Sequence, residues 1–176
     1  MTENRARAEV FEQMLLPHLA AAYNLARWIT RNDHDAEDVV QEAYLRAFKY
    51  FGRFQGGDGR AWLLKIVRNT CFTWLERNRP RELAHLDEEE YDAPATTPSP
   101  EADVIEGNRK EMLNDALEEL PAEFREVLIL REMEGFSYKE ISDITGVPIG
   151  TVMSRLARAR RRLQVLFSAS GRGEKL

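Results

Sequence analysis

Residues 137–163 read SYKEISDITGVPIGTVMSRLARARRRL. Ser137 is a natural helix cap, and Glu140 three residues later completes a capping-box pattern for a helix over SYKEISDIT. Gly146, Val147 and Pro148 then form a tight turn, and a second helix runs from about Ile149 to Leu166. Ile141, Val147, Val152 and Leu156 fall where they can share a small core, with Ser142 small enough for a close crossing. This is the anatomy of a helix-turn-helix. Its second helix opens with Gly150, Thr151 and Ser154 and continues with Arg155, Arg158, Arg160, Arg161 and Arg162. Small and polar groups near base edges, with a cationic flank for phosphate, are what major-groove recognition requires. A solvated basic helix in an ordinary bundle would also carry an arginine run. The capped helix and glycine turn ahead of it favour the DNA-binding reading.

Upstream, a helix near Asn108–Leu120 precedes PAEFREVLILREM, which Pro121 opens and Gly135 closes. The N-terminal half is also helical in pattern. Phe11, Leu15, Leu19, Tyr23 and Ala26 recur at spacings of three and four. Asp35 is placed to cap DAEDVVQEAYLRAFKYF, with Glu37 and Asp38 in its first turn. The glycine-rich FQGGDG, residues 54–59, reads as a loop before a helix from about Arg60 to Arg77, which Pro80 ends. No stretch alternates convincingly as a strand.

Charge divides the chain. The whole carries −5, but residues 1–80 hold 12 Lys/Arg against 10 Asp/Glu, residues 81–107 hold 1 against 9, and residues 108–176 hold 12 against 11. The acidity therefore sits in the middle segment, where Asp87–Glu90 precede Pro94, Pro98 and Pro100. Such a composition buries too little apolar surface to offset chain entropy, and the prolines oppose helix or central strand. The expected architecture is all-α, with two small helical domains, 1–80 and 108–168, on a flexible acidic linker at 81–107, and a disordered tail over 169–176.

Several functions are excluded early. The lone Cys71 supports neither an internal disulfide nor a cysteine-based zinc cage. His18, His34 and His85 show no HxxxH spacing, so neither a metal nor another cofactor is expected. No apolar run approaches a membrane span and no apolar signal core opens the chain, so a cytoplasmic, reducing location is expected. Cys71, on a helix in a mostly apolar setting, reads as a buried structural thiol.

DAEDVVQEAYLRAFKYFGRF (35–54) with GRAWLLKIVRNTCFTWLERNRP (59–80) closely resembles region 2 of the sigma-seventy family, and residues 137–163 resemble region 4. Only these two blocks are present, which is the layout of the extracytoplasmic-function (ECF) sigma factors. The resemblance implies a non-catalytic subunit that binds core RNA polymerase through the β′ clamp helices and the β flap. It also implies recognition of −35 and −10 promoter DNA, duplex melting, and control by an anti-sigma factor. Asp38, Gln41, Glu42 and Arg46 lie where the family binds the clamp helices, although a polar helix face of this kind is also what solvent alone would select. Phe54, Arg60, Lys65, Arg68 and Asn69 match the −10 side, with Phe54 and Asn69 at positions lining the pocket for a flipped base. Trp62 reads as a core aromatic. Thr151, Met153, Ser154, Arg155 and Arg158, with Arg160 beside them, match the −35 side. Met153 stands where relatives often carry a basic residue, so a thymine methyl suits it and guanine does not. The acidic linker resembles nucleic-acid charge and is either an occupant of the polymerase channel or a plain spacer. Two rivals are a sigma-like mimic that binds only an anti-sigma factor and a helix-turn-helix repressor. The first has no use for the DNA-facing residues, and the second has none for the region 2-like block.

Overall fold

Pro17 splits the first apolar stripe in two. In the computed structural model, which describes residues 2–83 and 106–170, helix α1 covers Thr2–Leu15, a 3-10 turn covers Leu16–His18, and α2 covers Leu19–Thr30. Proline lacks the N–H that a continuous helix would need there. Helix α3 follows at Asp33–Tyr50. Its cap is Asn32, whose side chain accepts from the Asp35 backbone N–H at 3.1 Å, so the helix begins earlier than the expected Asp35 cap. Asp33 and Asp35 then sit in the positive first turn.

The glycine-rich loop is as the sequence reads. Gly56 and Gly57 take φ of 88° and 99°, which side-chain-bearing residues rarely adopt. Asp58 caps α4, Gly59–Asn78, by accepting from the N–H groups of Arg60 and Ala61. Helix α5, Pro80–Leu83, continues past the expected domain edge at residue 80.

Helix α6 spans Glu106–Glu118 and α7 spans Ala122–Leu128, the latter running on as a π turn over Ile129–Met133. Pro121 is the cap of α7 rather than its first residue. Ser137 and Glu140 form the reciprocal capping box of α8, Tyr138–Thr145, and Gly146 closes it at φ 76°. The last helix, α9, covers Ile149–Ser170, two residues beyond the expected boundary at 168. The remaining tail and the acidic stretch 84–105, with its proposed channel role, lie outside the described residues. Among the described residues there is no strand.

The two halves are packed on each other. Leu15, Leu25, Ile29, Leu63, Leu64, Val67 and Leu75 form one buried cluster with Phe124, Val127, Leu130, Phe136, Ile141, Val152 and Leu156. A tether between two separately dissolved domains would leave these faces wet, and at roughly 25 cal/mol per Å² their burial is favourable. Arg125 anchors the contact. It is 2% exposed, and its guanidinium donates to the carbonyls of Trp28 at 2.6 Å and Ile29 at 3.0 Å, and to that of Leu120. Carbonyls in the last turns of a helix have no intrahelical donor, so one cation serves the ends of both α2 and α6. Burial lowers the Arg125 pKa to about 10, with Arg31 adding to the shift, so it stays protonated at neutral pH.

Cys71 is wholly buried, and burial pushes its thiol up, with Glu126 adding to the effect. Its reaction with Ellman's reagent in the native protein should be at least about a hundredfold slower than in denaturant, because reaction requires opening. Rapid stoichiometric labelling of the folded chain would contradict this placement.

Candidate nucleic-acid and polymerase interface

Helix α3 buries Ala36, Val39, Val40, Ala43 and Ala47 against the core and turns its other face outward. Asp38 and Gln41 are exposed there, and Glu42 pairs with Arg46 at 2.5 Å one turn on. Leu45 lies between them and is 73% exposed, an apolar side chain on a polar face. Reading the face as polar missed it. The signal was its spacing of three and four from Glu42 and Gln41.

The loop before α4 holds an aromatic stack. Phe54 lies parallel to Phe51, with ring centroids 6.1 Å apart, and meets Trp62 at 5.1 Å. It is half-buried. Trp62 packs against the core, as its sequence context suggests. Along α4, Lys65 and Asn69 share one exposed face at helical spacing. Asn69 is within 3.5 Å of Arg68.

Arg60 and Arg68 face the other half of the molecule. Arg60 donates to the backbone carbonyl of Glu134 at 3.0 Å and pairs with its carboxylate at 3.1 Å, above the Phe136 ring. Arg68 grips Glu126 with both arms, at 2.7 and 3.0 Å. Neither guanidinium is free for phosphate in this arrangement. Of the three cations expected on the −10 side, Lys65 is exposed, while Arg60 and Arg68 are engaged by carboxylates 74 and 58 residues away.

The helix-turn-helix is built as its residues indicate. Ile141, Val152 and Leu156 are buried, and the Ser142 hydroxyl donates to the Val147 carbonyl at 2.6 Å across the crossing. On α9, Met153 is 51% exposed, and Ser154, Ala157 and Arg158 are exposed beside it. The Ser154 hydroxyl bonds the Thr151 carbonyl, and Thr151 is half-buried. Arg160 reaches Glu132 at 2.6 Å, which raises its pKa. Arg155 turns inward and lies 4.0 Å from Glu126. The outward face is therefore Met153, Ser154 and Arg158; the exposed Arg160 holds the Glu132 carboxylate, and Arg155 lies near that of Glu126.

A capped helix-turn-helix thus packs beside a helical half that carries an outward face with Leu45 and an aromatic loop. Both halves match known family models. Residues 14–81 match Sigma-70 region 2, and residues 110–163 match Sigma-70 region 4. The chain is 36% identical over 164 residues to the ECF RNA polymerase sigma factor SigE of Mycolicibacterium smegmatis, covering 93% of this chain and 63% of that one. It is 33% identical to the ECF RNA polymerase sigma-E factor of Haemophilus influenzae, covering 80% and 77%. Among solved structures it resembles the sigma factor RpoE in complex with the anti-sigma factor NepR from Bartonella quintana, with TM-score 0.66, 35% identity and coverage of 91% and 98%. It also resembles CnrH in complex with the cytosolic domain of CnrY, with TM-score 0.64, 26% identity and coverage of 92% and 90%. The chain belongs to the ECF sigma factors of the sigma-70 family. Among the described residues no helix is long and apolar enough to cross a membrane, and no group of His, Cys, Asp and Glu could hold a metal ion.

Proposed function

We propose that the protein is a non-catalytic transcription initiation subunit that binds core RNA polymerase and directs it to promoters. The α3 face of Asp38, Gln41, Glu42, Leu45 and Arg46 docks the β′ clamp helices, with Leu45 as the apolar anchor. The β flap is the contact for the C-terminal half. The face of α9 bearing Met153, Ser154 and Arg158 enters the −35 major groove, with Thr151, Arg155 and Arg160 around it. Phe54 and Asn69 receive an unpaired −10 base, and Arg60, Lys65 and Arg68 follow the phosphates. Strand opening draws on binding energy, so no catalytic group is needed. One solved neighbour is a sigma factor in complex with the anti-sigma factor NepR, which supports the same control here.

The observation that carries this reading is Leu45, exposed on a helix whose opposite face is fully packed. A large apolar side chain among polar neighbours suits a partner surface. Leu45→Asp should weaken association with core polymerase at least about tenfold, as loss of an interface anchor costs upward of ~1.4 kcal/mol. Its thermal stability should change little, because exposed positions tolerate substitution. Unchanged core affinity would overturn the assignment of this face. In a separate measurement, Arg158→Ala should weaken −35 duplex binding for all sequences and reduce the salt slope by about 1.

A further inference from the structure

The outward face of α9 carries an apolar stripe. Ile149 is 44% exposed and Met153 51%, one helical turn apart, and the exposed Ala157 follows at the same spacing. Val152, Leu156 and Ala159 on the opposite face are fully packed, so the core does not need the outer three. Gly150 leaves the first turn open, since nothing in the protein lies within 4 Å of where a Cβ would stand. The helix that bears the stripe has five arginines and no carboxylate among its 22 residues.

A helix so charged attracts a polyanion, and an exposed apolar stripe on it calls for a nonpolar group to cover it. In the major groove of DNA, one base-edge group meets both demands: the C5-methyl of a pyrimidine, carried ordinarily by thymine. Polar groups in the same turns are committed elsewhere. The Ser154 hydroxyl donates to the Thr151 carbonyl at 3.0 Å, Thr151 is half-buried, and Arg155 lies 4.0 Å from the Glu126 carboxylate. Arg158 is exposed beside the stripe, in position for a phosphate or a guanine at its edge. Ile149 is stiff at χ1 and fixes its contact, whereas the thioether of Met153 adapts to the groove. From Ile149 to Ala157 the helix rises about 12 Å, the height of three to four base pairs.

We propose that Ile149, Met153 and Ala157 read pyrimidine C5-methyl groups, so that the ligand of this face is a duplex with such methyls clustered within about four base pairs. The inference rests on the proposed −35 role of α9 and names the base-edge chemistry of that site. The methyl itself is the determinant, whichever base carries it. The contact is therefore lost when thymine is replaced by uracil, and it is gained when cytosine is methylated at C5.

The probes are duplexes enriched from a library with a randomised −35 segment, selected both by the full chain alone and by holoenzyme reconstituted with core polymerase. Each enriched thymine is then replaced singly by uracil, by cytosine and by 5-methylcytosine, and affinities are compared by competition. Uracil at a contacted thymine should weaken binding about three- to fourfold, the effect of one buried methyl, and 5-methylcytosine should bind better there than cytosine by about twofold or more. Met153→Lys should abolish the uracil effect at one base pair and favour guanine there, because an ammonium pairs with the guanine acceptors. Ile149→Ala should weaken the effect at a neighbouring pair. Both positions are exposed, so thermal melts should match the wild type. Binding indifferent to every uracil substitution overturns the inference, as does a library from which neither form enriches any sequence. A Met153→Lys variant that keeps the wild-type uracil pattern overturns it too. If methyl removal does nothing while Met153→Lys weakens association with core polymerase, the stripe faces protein and the inference falls. Transcription separates the two ideas. Enriched duplexes that support no initiation but still respond to the methyl remove the proposed function and leave the methyl contact standing. Initiation that is indifferent to uracil removes only the methyl contact.

Discussion

Arg125→Leu should destabilise the protein by about 3–5 kcal/mol, because it removes a charged donor from several buried carbonyls at once. In the folded chain this guanidinium serves Trp28, Ile29 and Leu120 from a site that is 2% exposed. Leucine fills much of the volume and leaves those oxygens with no donor. Lysine keeps the charge but offers no fork, so Arg125→Lys should recover only a minor part of the loss. For a chain of this size the change corresponds to a fall in melting temperature of roughly 10 °C. The exposed Arg161 is the control, and Arg161→Leu should stay within about 0.5 kcal/mol. Urea unfolding of the three variants measures this directly. A loss below about 1 kcal/mol for Arg125→Leu would mean that the contact between α2, α6 and α7 is far weaker than its hydrogen bonds indicate.

The second large effect concerns strand opening. Phe54→Ala and Asn69→Ala should each reduce stable open complexes about ten- to a hundredfold, since one stacked base contributes about 1–3 kcal/mol. Phe54 lies parallel to Phe51 and meets Trp62 at a tilt of 52°, with part of its surface exposed, and Asn69 stands on the exposed face of α4. Binding to a −35 duplex, which the last helix would carry, should be unaffected by either. The two differ in a useful way. Phe54→Ala also loses aromatic packing and should lower thermal stability, whereas Asn69→Ala should not. Permanganate footprinting of the −10 region reads the opening. Less than a twofold change for Asn69→Ala would remove that residue from the base pocket.

The parts of the fold set by short-range chemistry were readable from the residues. Ser137, Glu140 and Gly146 act within a few residues of their partners, so the capping box and the left-handed turn could be read without knowing the rest of the chain. The same local reasoning misplaced the α3 cap, because Asn32 and Asp35 are both competent and only the path from Arg31 decides between them. Arg31 itself adopts a left-handed φ of 57°, a non-glycine exception held by its bonds to Glu118 and Glu82. The contact between the halves was not legible. Arg60, Arg68 and Arg125 look like solvated or DNA-facing cations in a linear pattern. Their partners lie far away in sequence, and nothing in charge spacing pairs them. Leu45 was hidden by its polar neighbours, while Arg155, expected to face DNA, instead sits beside a buried glutamate.

A sigma factor must convert core RNA polymerase into a promoter-specific enzyme, and the purified chain should do so. In vitro transcription from a promoter library, with core polymerase alone as the baseline, tests it. Discrete start sites should appear only when the protein is added, share −35 and −10 elements, and weaken sharply with Leu45→Asp. Transcripts no different in position or yield from those of core polymerase alone would contradict it.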